Sequence, residues 1–465
     1  MKKEARVSIK RCRLFLLFAF IITYASAQNS DFHKVEKGDA NDDGVVNVTD
    51  IVKVVNDIMG SNSDIYISKA DANDDGIVDV SDIVVIVNTI LNSPDNTPKY
   101  KDTSEEILDY VITDNIVDIG NLGGVKQFSI FQKEMTSKLR PVFRVPNIVV
   151  TNSGSLLVAA ENREIVSDRG ERDIVVTLLR TNNRNKVLVK RVWQEKVFGR
   201  YNNPTFVIDR DGRLGPKGRI FLFVGHFDQG SKYGYDNTTE DADIVYKYSD
   251  DDGIPWSDEV SLKGFGDTSK YTSAIPSPAN GLIDDEGTIW LPTMVVKDGR
   301  WASGILYKRK YGDWTFSSPT VTDDNECTLY FDKNNQIVLD CRTYKKERHK
   351  YYYDINSDTF TKASDNIFPF ECINIKADIK LIESVYVMTF PDTKRGKREN
   401  ITLYGSQDGA NWEKIVQLMD FDAVYGYSNV SYYDNTIGVV YETEEDIRVM
   451  DISSIKDIVT DYNKW

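Results

Sequence analysis

The stretch "SDDDGIPW", residues 249–256, has the pattern Ser-x-Asp-x-Gly-x-x-Trp, and "SQDGANW", residues 406–412, repeats it with one residue fewer. In this pattern glycine takes the unusual backbone angle of a β-turn, Ser and Asp cap the turn amides, and Trp packs beneath the turn. Both stretches are therefore predicted to be Asp boxes, which are structural turns between strands. The residues for which we expect no catalytic role on this ground are Ser249, Asp251, Ser406 and Asp408.

The segments around these turns alternate apolar and polar residues over short lengths. Examples are "GRIFLFVGHF" at 218–227, "GTIWLPTMVV" at 287–296 and "NQIVLDCRTY" at 335–344. Helical periodicity is nearly absent here. The pattern predicts an all-β unit of many hairpins over residues 107–465, and closing so many strands without exposed edges favours a propeller or a large sandwich.

The amino terminus has the pattern of a secretory signal. Basic residues precede the apolar run "LFLLFAFIITY", and "ASA" follows it, so residues 1–27 are predicted to be removed after Ala27. We therefore expect a secreted protein, located in the periplasm, at the cell surface or outside the cell. A membrane helix needs about 18 consecutive apolar residues, and every later apolar segment is shorter, so no membrane span is predicted.

Charge and cysteine content exclude other classes. With 57 Lys and Arg against 72 Asp and Glu, the formal charge of −15 provides no electrostatic surface for nucleic acid. Cys12 leaves with the signal, and Cys327, Cys341 and Cys372 remain. One disulfide could form among these three, but its partners are not predictable from the sequence.

An acidic twelve-residue segment occurs twice near the amino terminus. "DANDDGVVNVTD", residues 39–50, recurs as "DANDDGIVDVSD", residues 71–82, and each copy runs into an apolar helical segment. Oxygen donors at loop positions 1, 3, 5 and 9 and glycine at position 6 are typical of a loop around a hard cation, so one structural Ca²⁺ is predicted in each. The predicted ligands are Asp39, Asn41, Asp43, Val45, Asn47 and Asp50, then Asp71, Asn73, Asp75, Ile77, Asp79 and Asp82. Val45 and Ile77 would bind through their main-chain carbonyls.

This doubled loop resembles a type I dockerin, which implies a small all-α calcium-binding domain over residues 35–93. The resemblance implies a cohesin-like partner, whereas the simpler interpretation is that calcium only stabilises a module too short to fold without it. The polar, Pro-containing residues 94–106 are predicted to be a linker.

Arg144 stands within the apolar run "PVFRVPNIVV", residues 141–150. A buried cation costs several kcal/mol, roughly, unless an anion of the protein or of a ligand meets it. Its local sequence "FRVP" is similar to the Tyr/Phe-Arg-Ile-Pro signature of the exo-sialidases, six-bladed β-propellers that remove terminal sialic acid from sialylated glycans. The resemblance implies that three arginines hold the sugar carboxylate, with a fourth in the substrate-binding set. These four residues are Arg144, Arg342, Arg398 and Arg163, with Arg395 as an alternative to Arg398.

The same resemblance implies a retaining mechanism that needs no cofactor. Tyr427 would be the nucleophile, Glu326 its base and Asp168 the acid/base, with Tyr425 as an alternative to Tyr427. Asp173 lies closer to the following predicted strand, and we expect it to be structural. The other interpretation is a non-catalytic propeller that binds sialic acid as a lectin and is attached through the dockerin-like module. A complete catalytic set favours the enzyme, because a pure lectin has no need of a tyrosine with a base beside it.

Overall fold

The computed structural model divides into two compact units, Met1–Lys99 and Tyr100–Trp465. It describes residues 37–41, 46, 48–59, 67–73, 75–92, 107–111, 113–118, 124–132, 142–163, 172–179, 186–193, 200–227, 242–253, 255–262, 270–321, 323–345, 347–363, 368, 372–393, 397–419 and 425–461. The predicted signal, residues 1–27, and the predicted linker, residues 94–106, lie outside these ranges.

The first unit is helical in its described part, as predicted. Its helices are α1 (Val48–Ile58), α2 (Ile67–Ala70) and α3 (Val80–Asn92). Helices α1 and α3 each follow one of the two acidic segments, and their apolar faces pack around Val54, Ala70 and Ile86. None of the helices in the described ranges has the length and apolar character of a membrane span.

The second unit is all-β apart from its carboxyl end. Its strands are β1 (Ile107–Val111), β2 (Thr113–Asp118), β3 (Gly124–Ile130), β4 (Val142–Val150), β5 (Leu156–Arg163), β6 (Arg172–Leu179), β7 (Lys186–Trp193), β8 (Arg200–Asp209), β9 (Arg219–Phe227), β10 (Ala242–Ser249), β11 (Val260–Ser261), β12 (Ser273–Pro276), β13 (Leu282–Ile283), β14 (Ile289–Lys297), β15 (Arg300–Lys308), β16 (Trp314–Phe316), β17 (Asp324–Phe331), β18 (Ile337–Thr343), β19 (Arg348–Asp354), β20 (Thr359–Lys362), β21 (Asp378–Ile382), β22 (Val385–Pro391), β23 (Ile401–Ser406), β24 (Glu413–Gln417), β25 (Ser428–Tyr433), β26 (Thr436–Glu442) and β27 (Ile447–Asp451). A 3₁₀ turn, Ser453–Ile455, and helix α4 (Lys456–Val459) follow.

Within the described ranges these strands form five sheets, whereas the sequence predicts six blades. The sheets are β12–β16, β17–β20, β21–β24, the set β2, β3 and β25–β27, and a nine-stranded sheet of β1 and β4–β11. The largest sheet contains two ladders of antiparallel strands, one of β1 and β4–β7 and the other of β8–β11. A single parallel pair, Arg172 on β6 with Arg200 on β8, joins the two ladders. The arrangement is propeller-like, and β3 pairs with β27, so strands from both ends of the unit share one sheet and leave no open edge between them.

Polar side chains connect the inner strands in a circle. The contacts are Asn147 Nδ2 to Pro204 O (2.9 Å), Asn203 Nδ2 to Pro276 O (2.8 Å), Ser277 Oγ to Cys327 O (2.6 Å), Thr328 Oγ1 to Asp378 Oδ1 (3.2 Å), Val430 N to Asp378 Oδ2 (2.9 Å) and Asn429 Nδ2 to Pro146 O (2.6 Å). They run from β4 through β8, β12, β17, β21 and β25 and return to β4. Groups that would be costly to bury alone are thus satisfied in pairs, and the inner strands converge around one axis.

Both predicted Asp boxes form turns of the expected kind. Ser249 Oγ accepts hydrogen bonds from the N–H groups of Asp251 (3.2 Å) and Gly253 (3.0 Å), and Trp256 is buried beneath. In the second box Ser406 Oγ accepts from Gly409 N at 2.9 Å. The hydroxyl therefore holds the turn closed through backbone amides, which is a structural role.

The three cysteines beyond the predicted signal are free thiols. Cys327 on β17 and Cys341 on β18 are both buried and face each other in the register of the two strands. The disulfide that the sequence allows is therefore absent among them.

Candidate active site

Tyr427, Glu326 and Arg342 come together although they are distant in sequence. The register of β17 and β18 shifts between Asp324 and Cys327, and Glu326 lies in this bulge. Tyr427 Oη donates a hydrogen bond to Glu326 Oε1. Arg342 Nη1 donates to Glu326 Oε2 at 2.5 Å and to Tyr427 Oη at 3.1 Å. A phenol, a carboxylate and a guanidinium thus share one hydrogen-bonded cluster.

Electrostatics keep this phenol neutral at rest. Burial and then the charge of Glu326 raise the pKa of Tyr427 well above its ordinary value, against the opposing effect of Arg342 and Arg398. Burial acts to lower the pKa of Arg342, but Glu326 and Tyr427 raise it overall, so this guanidinium stays charged. A neutral hydroxyl already bonded to a carboxylate can give up its proton as its oxygen attacks an electrophile.

The buried cation of Arg144 meets a carboxylate of the protein. Its Nε and Nη2 donate to Glu442 Oε2 (3.2 Å) and Oε1 (3.4 Å), and its guanidinium lies 3.8 Å from the ring centre of Tyr425. Glu442 is fully buried and also accepts from the backbone N–H groups of Val145 (2.9 Å) and Tyr427 (3.2 Å). Sequence reasoning missed Glu442, and the available signal was an acidic residue that ends the apolar strand "TIGVVYE".

Arg398 is held near Tyr427 by two main-chain carbonyls. It donates to Tyr425 O at 2.7 Å and to Asn374 O at 2.6 Å, and its guanidinium is 5.6 Å from the ring centre of Tyr427. Gly426 makes this approach feasible, because a Cβ there would come within 2.7 Å of Arg398 Cβ. The alternative residue, Arg395, lies outside the described ranges.

Arg163 is neutralised by a residue of its own strand. Its Nε donates to Glu161 Oε2 at 2.6 Å, and Glu161 Oε1 accepts from Asn203 N at 2.8 Å. Glu161 is the register partner of Arg144 on the adjacent strand, which places this pair beside the first arginine. Asp168 lies in a part of the chain that the structure does not describe, and Asp173, expected to be structural, stands opposite Asn162 in the pairing of β5 and β6.

The predicted calcium loops carry only oxygen donors. In the second loop Asp71 accepts from the N–H groups of Asp75 and Gly76, and Asp82 accepts from Ala72, Asn73 and Asp79. In the first loop Asp39 pairs with Lys69 at 2.8 Å, and Asp43, Val45 and Asn47 lie outside the described residues. No group of three acidic, His or Cys side chains converges as a metal cluster in the described part of the chain. The donor set fits Ca²⁺ by its chemistry.

Known proteins resemble this chain in both of its units. Residues 37–91 match the family model of the dockerin type I domain. A sialidase of Clostridium perfringens is 23% identical over 371 residues, which cover 71% of this chain and 94% of that protein. A sialidase of Bacteroides fragilis (strain YCH46) is 23% identical over 354 residues, which cover 68% of this chain and 63% of that protein.

Solved sialidase structures share the fold. A Hadza microbial sialidase superposes with a TM-score of 0.61 at 19% identity, covering 68% of this chain and 66% of its own. The Trypanosoma rangeli sialidase with 2,3-difluorosialic acid, a covalent intermediate, gives a TM-score of 0.59 at 15% identity, covering 77% and 62%. The resemblance predicted from the sequence is thereby confirmed: this chain is similar in sequence and fold to sialidases, and its residues 37–91 match the dockerin type I domain.

Proposed function

We propose that this protein is a retaining exo-sialidase that hydrolyses terminal sialic acid from glycoconjugates. The observation that carries the proposal is the hydrogen bond from Tyr427 Oη to Glu326, with Arg342 on both groups. Arg144 and Arg398 complete a cationic surround, since their guanidiniums lie 5.8 Å and 5.6 Å from the ring centre of Tyr427. The sialidase relatives support the class of enzyme.

The arginines would hold the carboxylate of the sugar. Charge-assisted hydrogen bonds from planar guanidiniums suit a carboxylate, and each contributes about 1.5–3 kcal/mol in favourable settings. Arg144 and Arg163 already have carboxylate partners, Glu442 and Glu161, which hold their side chains in place before the substrate arrives. Arg342 is paired with Glu326 in the same way, so Arg398, which donates to two main-chain carbonyls, would contribute the net positive charge that an anionic sugar needs.

A phenol suits this substrate because the carboxylate of sialic acid is attached to its anomeric carbon, where an anionic nucleophile would meet like charge. In the proposed first step Tyr427 Oη bonds to the anomeric carbon and gives its proton to Glu326, while the glycosidic bond breaks and Asp168 protonates the leaving oxygen. In the second step Asp168 takes a proton from water, which attacks the same carbon. Tyr427 leaves and recovers its proton from Glu326, so two inversions give retention.

The six-bladed count belongs to the same proposal. Six inner strands follow one another in the circle of polar contacts, and among the described residues only one parallel pair joins the two ladders of the nine-stranded sheet. Reading these ladders as two blades supports six blades around one axis, with the Tyr427 cluster at one end of the inner strands.

The amino-terminal residues 1–106 would direct export of the protein and attach it to a partner. We propose the arrangement of signal 1–27, dockerin 35–93, linker 94–106 and propeller 107–465 for a protein exported to the periplasm, cell surface or medium. When bound, two Ca²⁺ ions would stabilise the dockerin loops and present helices α1 and α3 to a cohesin-like partner. The dockerin match and the all-oxygen donor set support the calcium.

The test is turnover of a fluorogenic sialoside by the wild type and by Tyr427→Phe. We expect hydrolysis by the wild type, α-sialic acid as the first product by NMR, and a loss of about a thousandfold or more in the variant. Tyr432→Phe is the matched control, because it also removes a phenol bonded to a carboxylate, Glu383, at 3.2 Å, but on the surface. Binding of sialic acid with no turnover by any of the three proteins would favour a lectin and contradict the proposal.

A further inference from the structure

Residues 373–376 form a short connection before β21 whose backbone is firmly held. Ile375 N donates to Ile373 O at 2.7 Å, which makes Asn374 the central residue of a three-residue turn. Ile373 and Ile375 are both buried in one apolar cluster. Asn374 is therefore placed between two anchored side chains and presents its polar groups outward from that cluster.

Asn374 contacts two of the arginines through two different groups. Its side-chain Oδ1 accepts from Arg342 Nε, and its main-chain O accepts from Arg398 Nη2 at 2.6 Å. Arg342 makes its other hydrogen bonds in the described structure through Nη1. A guanidinium is planar, so a contact at Nε together with one at Nη1 defines the plane of the whole group.

The neighbours of Asn374 tie the turn to the rest of the site. Ile375 O accepts from Arg348 Nη1 at 3.0 Å. Lys376 Nζ donates to Ser428 O at 3.0 Å and to Asn429 Oδ1 at 2.7 Å, directly after Tyr427 in the chain. Both cations are buried, so breaking either contact would leave a buried charge poorly solvated. Arg348 and Lys376 thus hold the turn on the carboxyl side of Asn374, and the buried Ile373 anchors it on the amino side.

We propose that Asn374 is a positioning residue that sets the plane of Arg342 and thereby the geometry of Glu326, Tyr427 and the bound carboxylate. This inference rests on the proposed function. Without the Oδ1 contact, Arg342 would be held by its Nη1 contacts alone, the strongest of them the 2.5 Å bond to Glu326. The guanidinium could then rotate about that bond, which would weaken its contact with Tyr427 and its grip on the sugar.

The first experiment compares Asn374→Ala with Asn374→Asp. Alanine removes only the contact to Arg342, since the main-chain carbonyl that serves Arg398 remains. We expect kcat/KM on a fluorogenic sialoside to fall about ten- to a hundredfold, the range for a hydrogen bond to a charged group. Aspartate keeps the acceptor oxygen but adds negative charge beside two arginines, so kcat should recover while KM stays high.

The second experiment is a double-mutant cycle with Arg342→Lys, because lysine has no Nε–H at that position. If Asn374 acts through Arg342, Asn374→Ala should cause less than about a twofold further loss in the Arg342→Lys background. Asn411→Ala is the stability control, since it removes a side-chain hydrogen bond to Asp408 of 2.7 Å in the second Asp box. It lies outside the site, so any shift in Tm that it causes should leave kcat/KM unchanged.

Three results would overturn the proposal. The first is wild-type kinetics in Asn374→Ala, and the second is an equal loss from Asn374→Ala in the wild-type and Arg342→Lys backgrounds. The third is a kcat of Asn374→Asp as low as that of Asn374→Ala. Failure of the proposed function is distinguishable by calorimetry with 2-deoxy-2,3-didehydro-N-acetylneuraminic acid. If the wild type binds this analogue without any turnover, the enzyme proposal fails, and a weaker Kd in Asn374→Ala still supports the positioning role. Absence of both binding and turnover would contradict both proposals.

Discussion

The second Asp box and the Tyr427 cluster both depend on a carboxylate that accepts hydrogen bonds, but over very different sequence distances. Asp408 accepts from Ala410 and Asn411, its near neighbours, at 2.8 Å each. Glu326 accepts from Tyr427, which is 101 positions away. Partial burial would raise the pKa of Asp408, but the turn amides and the side chains of Asn411 and Ser406 lower it to about 2, whereas burial raises the pKa of Tyr427. Local contacts thus stabilise a charge in the turn, and distant contacts keep a reactive group neutral.

The two regions also differ in backbone strain. In the second Asp box the residue with a left-handed backbone is a glycine, Gly409 (φ 68°). Next to Arg144 the residue with positive φ is the β-branched Val145, at 51°, whose N–H donates to Glu442. Glycine adopts such angles without steric cost, while a β-branched residue there costs about 1–3 kcal/mol. The site therefore holds a strained residue that its buried carboxylate helps to keep in place.

The largest expected effect comes from making the same carboxylate-to-amide change in both regions. Glu326→Gln should lower kcat about a hundred- to ten-thousandfold, because an amide cannot take the proton of Tyr427. Asp408→Asn should leave kcat/KM unchanged. Sialoside hydrolysis and thermal unfolding of both variants are the measurements, and similar kinetic losses in the two would contradict the distinction between structural and reactive carboxylates.

The next effect concerns the stability of the site itself. Glu442→Ala should destabilise the protein by about 3–5 kcal/mol in urea unfolding, because it leaves Arg144 buried without its counter-charge. Activity per folded molecule should fall as well, since Arg144 and the backbone of Tyr427 lose a common partner.

The matched control for Glu442→Ala removes both charges. Arg144→Met combined with Glu442→Leu should regain much of the lost stability but no activity. If the double variant is as unstable as Glu442→Ala, the destabilisation has another cause than an unpaired cation.

The smallest effect is the pH dependence of the second Asp box. The pKa of Asp408 is lowered to about 2 in the folded protein, so the unfolded chain binds more protons than the folded one as the pH falls below about 4. The stability that Asp408 contributes should thus be fully present at pH 6 and shrink as the pH falls towards 2. Urea unfolding of wild type and Asp408→Asn checks this, and a difference that grows on acidification would contradict it.

Much of the site was predictable, but only as isolated residues. Arg144, Arg342 and Arg398 were singled out from short motifs, and the structure brings all three around Tyr427. Glu442 and Asn374 were missed because neither stands in a motif with its partners. Arg144 and Glu442 are 298 positions apart, and only the pairing of distant strands brings them together.

The count of blades shows the same limit. Alternating short strands predicted an all-β unit, but they could not say where one sheet ends and the next begins. A single parallel pair between β6 and β8 joins two ladders into a nine-stranded sheet, and such a contact leaves no pattern in either strand.

By itself the sequence determined the Asp-box turns, the helices after the acidic loops and the family resemblance, because each depends on residues within about a dozen positions of one another. Only the tertiary structure decided that Arg144 meets Glu442, that Glu326 meets Tyr427, and that Asn374 serves two arginines. The physical reason is that a buried charge or phenol takes its properties from its nearest neighbours in space, and in this unit the inner strands supply those neighbours from opposite ends of the chain.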